Sequence, residues 1–254
     1  MRSMIAAALP PFIRQPLRDL RADVENYFAT RSYHGTGRLC PVCEKTSSRF
    51  EQYGLVPRPD ALCMRCNALE RHRLLWLFLK ERTDLFDGRP KAMLHVAPEP
   101  CLESRFRRRL GSDYLTADLF NPWAMVKMDI MDIAYPDESF DVIYCSHVLE
   151  HVADDRQAMR EFRRVLKRDG WAILLVPIVA ETTFEDPSIV DPVEREKVFG
   201  QCDHVRNYGL DYADRLGDAG FHVEVTRIDD LVSRADAVKM GLTPVAGEIY
   251  FCTK

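Results

Sequence analysis

The sequence predicts an α/β fold: a seven-stranded, mostly parallel sheet with helices on both faces, preceded by a small cysteine-based module. Two observations carry this reading. The first is a strand–helix–strand unit. Phe140–Cys145 and Trp171–Val176 are short, nearly continuous apolar runs, the pattern of parallel strands buried on both faces. Between them Val152–Lys167 has helical spacing, with Met159, Phe162, Val165 and Leu166 on one face. Asp154 and Asp155 at its start and Arg163, Arg164, Lys167 and Arg168 at its end suit the helix dipole, and Gly170 turns the chain into the second strand. The second observation is Cys40-Pro-Val-Cys43, nineteen residues, then Cys63-Met-Arg-Cys66. That is the ligand spacing of a four-cysteine zinc ribbon.

Taken in order, Leu17, Leu20, Val24, Tyr27 and Phe28 predict an amphipathic helix over Pro16–Thr30. Cys40, Cys43, Cys63 and Cys66 follow as candidate metal ligands. A zinc ion held by four thiolates has no open position, so its role would be structural. Asn67–Phe86 carries the apolar run Leu74–Leu79 in a charged frame and reads as a helix. From residue 31 to 82 there are ten Lys/Arg against five Asp/Glu, either a surface for an anionic substrate or a solvated face. Strands are expected at Lys91–Val96, Tyr114–Ala117 and Ala124–Met128, with a helix over Leu102–Leu110 between the first two. Ala180–Arg206 holds seven acids and three bases and reads as a partly ordered, lid-like loop. A helix at Leu210–Ala219 stops at Gly220. The last two strands, His222–Ile228 and Ile249–Thr253, are joined by a helical stretch at Asp229–Met240. The expected organisation is a helical extension (1–38), a zinc ribbon with its connecting helix (39–86) and the sheet domain (87–254, with the insertion at 180–207).

Apolar content of 46% and charged content of 29% are those of a globular domain. No apolar run approaches the ~20 residues that span a bilayer, and Pro10 and Pro11 cut short the Ile5–Leu9 run, which argues against a signal peptide. The expected location is cytoplasmic, where disulfides between these cysteines are disfavoured. A net charge of −4 argues mildly against a nucleic-acid partner.

The segment DESFDVIYCSHVLEHVADDRQAMREFRRVLKRDGWAILLVP resembles the fourth-to-fifth-strand region of class I S-adenosylmethionine-dependent methyltransferases of the type 11 group. The resemblance extends more weakly over about 91–254 and implies a Rossmann-like sheet that holds S-adenosylmethionine. In that family the first strand ends in an acidic residue and a glycine-rich turn. Here the turn is His95-Val-Ala-Pro-Glu-Pro-Cys101, without glycine. His95 stands at the acidic position, Ala97 keeps the turn small, and Glu99 offers a carboxylate for the cofactor's ammonium group. Asp118, with Leu119, takes the position that accepts from the ribose hydroxyls. Asp129, with Ile130, takes the position that accepts from the adenine amino group, and Ser146 ends the fourth strand beside them.

Methyl transfer from a sulfonium is an in-line displacement, so positioning and exclusion of water carry much of the catalysis. An alcohol acceptor must also lose its proton, and histidine is the best-matched general base. His147 and His204 are the candidate bases, with His151 a third that more readily caps the following helix. His151, Arg206 and Tyr208 are candidate acceptor contacts. The leading expectation is O-methylation of a sugar, glycan or other small polar metabolite. The alternatives are an RNA base methyltransferase with a zinc recognition module, and a non-catalytic binding module whose cofactor turn has degenerated.

Overall fold

The computed structural model describes residues 32–54 and 56–254, and the helix expected at Pro16–Thr30 lies outside them. The chain groups into two compact units. One contains the described residues up to Asp84 with Glu99–Arg105 and Ile228–Ala246. The other contains Leu85–Pro98, Phe106–Arg227 and Gly247–Lys254.

The cysteine-bearing unit opens with two antiparallel ribbons, β1 (Arg38–Cys40) with β2 (Lys45–Ser47) and β3 (Glu51–Tyr53) with β4 (Arg58–Leu62). Helix α1 (Glu70–Arg82) follows. Leu74, Leu75, Trp76, Leu77, Phe78 and Leu79 are all buried, so α1 is a core helix rather than an amphipathic one. Arg73 is fully buried with them. Its guanidinium donates to the carbonyls of Ala61, Ala68 and Gly241 at 2.8–2.9 Å and lies 4.4 Å over the Phe50 ring. That withdraws one cation from the basic stretch the sequence offers as an anionic-substrate surface.

The second unit is built on β5 (Met93–Val96), then α2 (Pro100–Leu110, whose first residues group with the other unit), β6 (Tyr114–Asp118), β7 (Val126–Lys127), β8 (Phe140–Ser146), α3 (Asp155–Val165) and β9 (Leu166–Leu175). Beyond these come β10 (Ile178–Ala180), β11 (Phe184–Glu185), α4 (Pro192–Phe199), β12 (Arg206–Gly209), α5 (Tyr212–Asp218) and β13 (His222–Thr226). The short helices α6 (Ile228–Leu231) and α7 (Arg234–Lys239) lie in the cysteine-bearing unit, and β14 (Ile249–Thr253) closes the chain. The seven strands expected from the sequence form one sheet in the order β13-β14-β9-β8-β5-β6-β7. β5 to β9 pair in parallel, and β14 runs antiparallel to β9 and β13. Leu94, Val142, Ile143, Cys145, Ala172, Ile173 and Leu174 are fully buried, as two-faced strands demand.

Two local expectations are corrected. The helix before β9 ends at Val165, and Gly170 lies inside the strand, where the β8–β9 register jumps from Phe140↔Leu166 to Val142↔Trp171. A Cβ at Gly170 would stand 2.7 Å from the Asp141 carbonyl, so the glycine serves a close approach within an irregular strand. The insertion carries regular structure of its own: β10, β12 and β11 form a three-stranded sheet, and α4 is capped by Asp191, whose Oδ1 accepts from Val193 and Glu194. Pro192 at the first turn and left-handed Gly200 at the end complete it, standard start and stop signals that were present in the sequence.

Candidate active site at the strand ends and the cysteine cluster

In the sheet unit the strand order reverses between β5 and β8, the point beyond which open α/β sheets bind their ligands. The backbone there is unusual. Ala97, just past β5, has φ 50°, and His147, just past β8, has φ 55°. Each is pinned by a backbone bond: the Ala97 N–H donates to Ala117 at 2.9 Å and the His147 N–H to Leu175 at 2.8 Å. Left-handed geometry costs an L-residue about 1–2 kcal/mol, and such residues gather where a turn must bend tightly for function. At Ala97 the chain takes the conformation that a glycine would otherwise supply.

Beside them lie the two aspartates. Asp118 Oδ1 accepts from the N–H groups of Phe120 and Asn121, both at 2.7 Å, and Asp129 Oδ1 accepts from Met131 at 2.9 Å. Each therefore uses one oxygen to shape its own turn and keeps Oδ2 for another donor. Leu119 is partly exposed and Ile130 buried. Ser146 is buried, and its hydroxyl has no hydrogen-bond partner among the described residues. An orphaned hydroxyl, two half-used carboxylates and a turn that allows close backbone approach fit a nucleoside-bearing cofactor with a diol. Glu99 belongs to the other unit, where its carboxylate lies 3.4 Å from His72 Nε2.

His147 Nδ1 stands 3.3 Å from Glu150 Oε1, with the imidazole about a third exposed and the carboxylate buried. Further along, His151 Nδ1 is 3.2 Å from Asp203 Oδ2, and the His151 and His204 rings meet edge to face at 4.6 Å. Burial, and then the neighbouring His151, hold His204 below the ordinary imidazole value. The structure thus brings Ser146, His147, His151 and His204 into one neighbourhood. Glu150 is the member that sequence reasoning missed. Glu150 falls three residues after His147, and that spacing is the signal that was available.

Four expectations are corrected. The cap of α3 is Asp154, which accepts from Gln157 at 2.9 Å, so His151 is no cap. His95 is fully buried, its Nδ1 2.7 Å from the Tyr114 hydroxyl among the rings of Phe106, Tyr114 and Tyr144, and turns no face to a ligand. Arg206 is 2% exposed and donates to the carbonyls of Leu149, Val152 and Ala153 and to Glu185. Tyr208 is fully buried, donating to Asp155 at 2.6 Å. Arg206 and Tyr208 therefore hold the insertion down instead of reaching an acceptor. Arg215 completes that network with two bonds to Asp155 at 2.6 and 2.7 Å.

In the other unit the four cysteines converge, all four sulfurs within 4.8 Å of one another and two pairs at 3.7 and 3.9 Å. Ligands about 2.3 Å from a tetrahedral zinc stand about 3.8 Å apart, so the cluster is consistent with a four-cysteine zinc ribbon. The two knuckles repeat one geometry. Glu44 and Asn67 follow their second cysteines with φ 58° and 60°, and each donates back to the first cysteine's carbonyl, at 2.8 and 2.7 Å.

The family described as "Methyltransferase domain" matches residues 99–174, from just before α2 into β9. Among curated proteins, the uncharacterized methyltransferase YcgJ of Bacillus subtilis is 40% identical over 78 residues, and methyltransferase GfsG of Streptomyces halstedii is 33% identical over 82. These stretches are 31% and 32% of this chain, which spans 29% of the length of each relative. The crystal structure of YcgJ aligns with 69% of this chain and 93% of its own, at 17% identity and a TM-score of 0.43. Among the described residues no helix is long and apolar enough to cross a membrane.

Proposed function

We propose that this chain carries a class I, S-adenosylmethionine-dependent methyltransferase domain and that it methylates a hydroxyl group on a sugar, glycan or other small polar metabolite, with His147 as general base. Residues 87–254 make the catalytic domain in this reading, and 39–86 a module whose four cysteines hold one structural zinc. S-adenosylmethionine, when bound, supplies an electrophilic methyl group and a neutral thioether as leaving group. Asp118 would hold the ribose hydroxyls, Asp129 the adenine amino group and Ser146 a further polar edge.

The observation that carries the reading is the His147–Glu150 pair at the β8 end. A hydroxyl becomes a nucleophile only as its proton leaves. An imidazole oriented at one nitrogen by a buried carboxylate presents the other to receive that proton and is stabilised once it carries the charge. Glu150 is the orienting group, 3.3 Å from Nδ1, which leaves Nε2 for the acceptor. The strained backbone of His147 aims the ring from the strand end, where a cofactor held by Ala97, Asp118 and Asp129 belongs.

The test has two stages. Thermal shift with S-adenosylhomocysteine must raise stability by mass action; no shift sinks the cofactor reading. A screen of nucleotide sugars and glycans for release of S-adenosylhomocysteine then identifies the acceptor. His147→Ala is expected to keep S-adenosylhomocysteine binding and to lose about 10²-fold or more in turnover. Normal turnover on that acceptor removes His147 from the chemistry.

A further inference from the structure

Glu150, His151 and His204 each bring one ligand atom to a point in the sheet unit, and these atoms all lie within 4.8 Å of one another. We infer that they form a second metal site, separate from the four cysteines, for a divalent first-row transition ion. The donor set is two imidazoles and one carboxylate. That set suits zinc, manganese or ferrous iron and leaves coordination positions open, whereas magnesium and calcium take oxygen ligands alone.

Three features distinguish this cluster from an ordinary group of surface side chains. Glu150 is a carboxylate with a 2% exposed side chain, and its Oε2 has no hydrogen-bond partner among the described residues. A buried carboxylate oxygen left bare is costly, and an ion is the group that would satisfy it. With Oε1 facing His147, Oε2 is the oxygen left for that ion. Next, Asp203 Oδ2 lies 3.2 Å from His151 Nδ1, the arrangement by which an outer carboxylate fixes the orientation of a ligating imidazole. Lastly, backbone and packing hold the three ligands together. The Val205 N–H donates to the Glu150 carbonyl at 2.9 Å, and the Arg206 guanidinium binds the carbonyls of Leu149, Val152 and Ala153 on either side of Glu150 and His151. The structural role of Arg206 thus becomes a supporting one for the site.

Ligands about 2.1 Å from an ion stand about 3–3.4 Å apart, so a separation at the 4.8 Å limit must shorten by about 1.4–1.8 Å. His151 can supply that movement, since its side chain is 33% exposed. The same exposure opens the ion to solvent, where a water molecule would complete its coordination.

The site is testable without an activity assay. Protein purified with zinc in its cysteines is titrated with Mn2+, free ion being read by electron paramagnetic resonance, and total zinc is counted by elemental analysis. The expectation is one ion per chain beyond the cysteine-bound zinc, either Mn2+ taken up or a second zinc already present. Glu150→Gln, His151→Ala and His204→Ala should each abolish that second ion and keep the first. Asp203→Asn should weaken it by about 10–100-fold. His151→Ala is the decisive variant, because a partly exposed ring can be removed without unfolding the core, as a matching thermal melt would verify. A wild-type chain with only one metal ion under both probes overturns the site, and so does a second ion that persists in His151→Ala and His204→Ala.

Discussion

The cysteine cluster and the strand-end site are built with the same backbone device and were unequally visible. Each uses a pair of non-glycine residues in the left-handed region: Glu44 and Asn67 at the knuckles, Ala97 and His147 at the ends of β5 and β8. In the knuckles the bent residue follows a Cys-x-x-Cys pair, so geometry and ligands sit within five consecutive residues and the spacing announces them. At the strand ends the bend serves residues far apart in sequence, 97, 118, 129 and 146, which only the sheet order brings together. Local geometry is legible in a sequence; convergence across a sheet requires the topology first.

The largest effect should come from breaking the first member of this comparison. Cys63→Ser removes one of the four proposed zinc ligands, and structural zinc contributes about 10–16 kcal/mol to the folding of such modules. The expected outcome is loss of the cysteine-bound zinc by elemental analysis, with fast hydrogen exchange confined to the cysteine-bearing unit. A metal-free chain with native protection in that unit would show that the cysteines pack without an ion.

Next in size is the polar network that the sequence reading assigned to substrate. Burial alone would raise the Asp155 carboxyl, but hydrogen bonds from Arg215 and Tyr208 and the charge of Arg206 hold it below the ordinary carboxylate value. Arg215→Ala leaves that buried charge short of its partner, which typically costs about 3–5 kcal/mol. Because the folded value is depressed, this stabilisation is complete above the unfolded value of about 3.9 and fades as pH falls through the folded one. Urea melts at pH 7 should therefore show the deficit. Melts below about pH 4 should show it shrinking, and an unchanged deficit there would remove Asp155 as its origin.

How much of this was readable divides along the same line. The seven strands, their order of appearance and the helix face of Met159, Phe162 and Val165 followed from apolar runs and helical spacing, while Leu166, expected on that face, opens β9 instead. Arg206 and Tyr208 were misread because nothing local in an extended segment tells whether a polar side chain meets solvent or the buried Asp155 network. His95 was misread for a related reason. Its place at a strand end suggested a cleft, and the aromatic rings that enclose it come from positions 106, 114 and 144. Glu150 was passed over because a carboxylate between two histidines reads as a solvated turn until its burial is known. The grouping of Ile228–Ala246 with the cysteine-bearing unit left no mark in composition or spacing at all.

The strand-end site is sharpened by its two carboxylates. Asp118→Ala and Asp129→Ala should each weaken S-adenosylhomocysteine binding by about 1–3 kcal/mol in calorimetry, the loss for a partly buried hydrogen-bond acceptor. Each also shapes its own turn through Oδ1. Asp118→Asn, which keeps that acceptor, should therefore bind better than Asp118→Ala. Wild-type affinity in both alanine variants would detach the cofactor from these strand ends and leave the fold as it stands.

The smallest effect bears most directly on whether a turn without glycine still serves a cofactor. Ala97 already holds φ 50°, so the backbone has adopted the glycine-like bend at a cost of about 1–2 kcal/mol. Ala97→Gly removes that cost and frees the unfolded chain by about 0.4–1 kcal/mol in the opposite direction. The net gain should lie between about zero and about 1.6 kcal/mol, a melting-temperature rise of about 6 °C at most for a unit of this size. Affinity for S-adenosylhomocysteine should be nearly unchanged, because the alanine turn has the required shape before any ligand arrives. A tenfold or greater gain in affinity would mean that the alanine methyl group obstructs the ligand, and the chain would then be better described as a binding module that has drifted from catalysis. Equal affinity with a small gain in stability would show that the chain meets by strain the geometric requirement that a glycine would meet by composition.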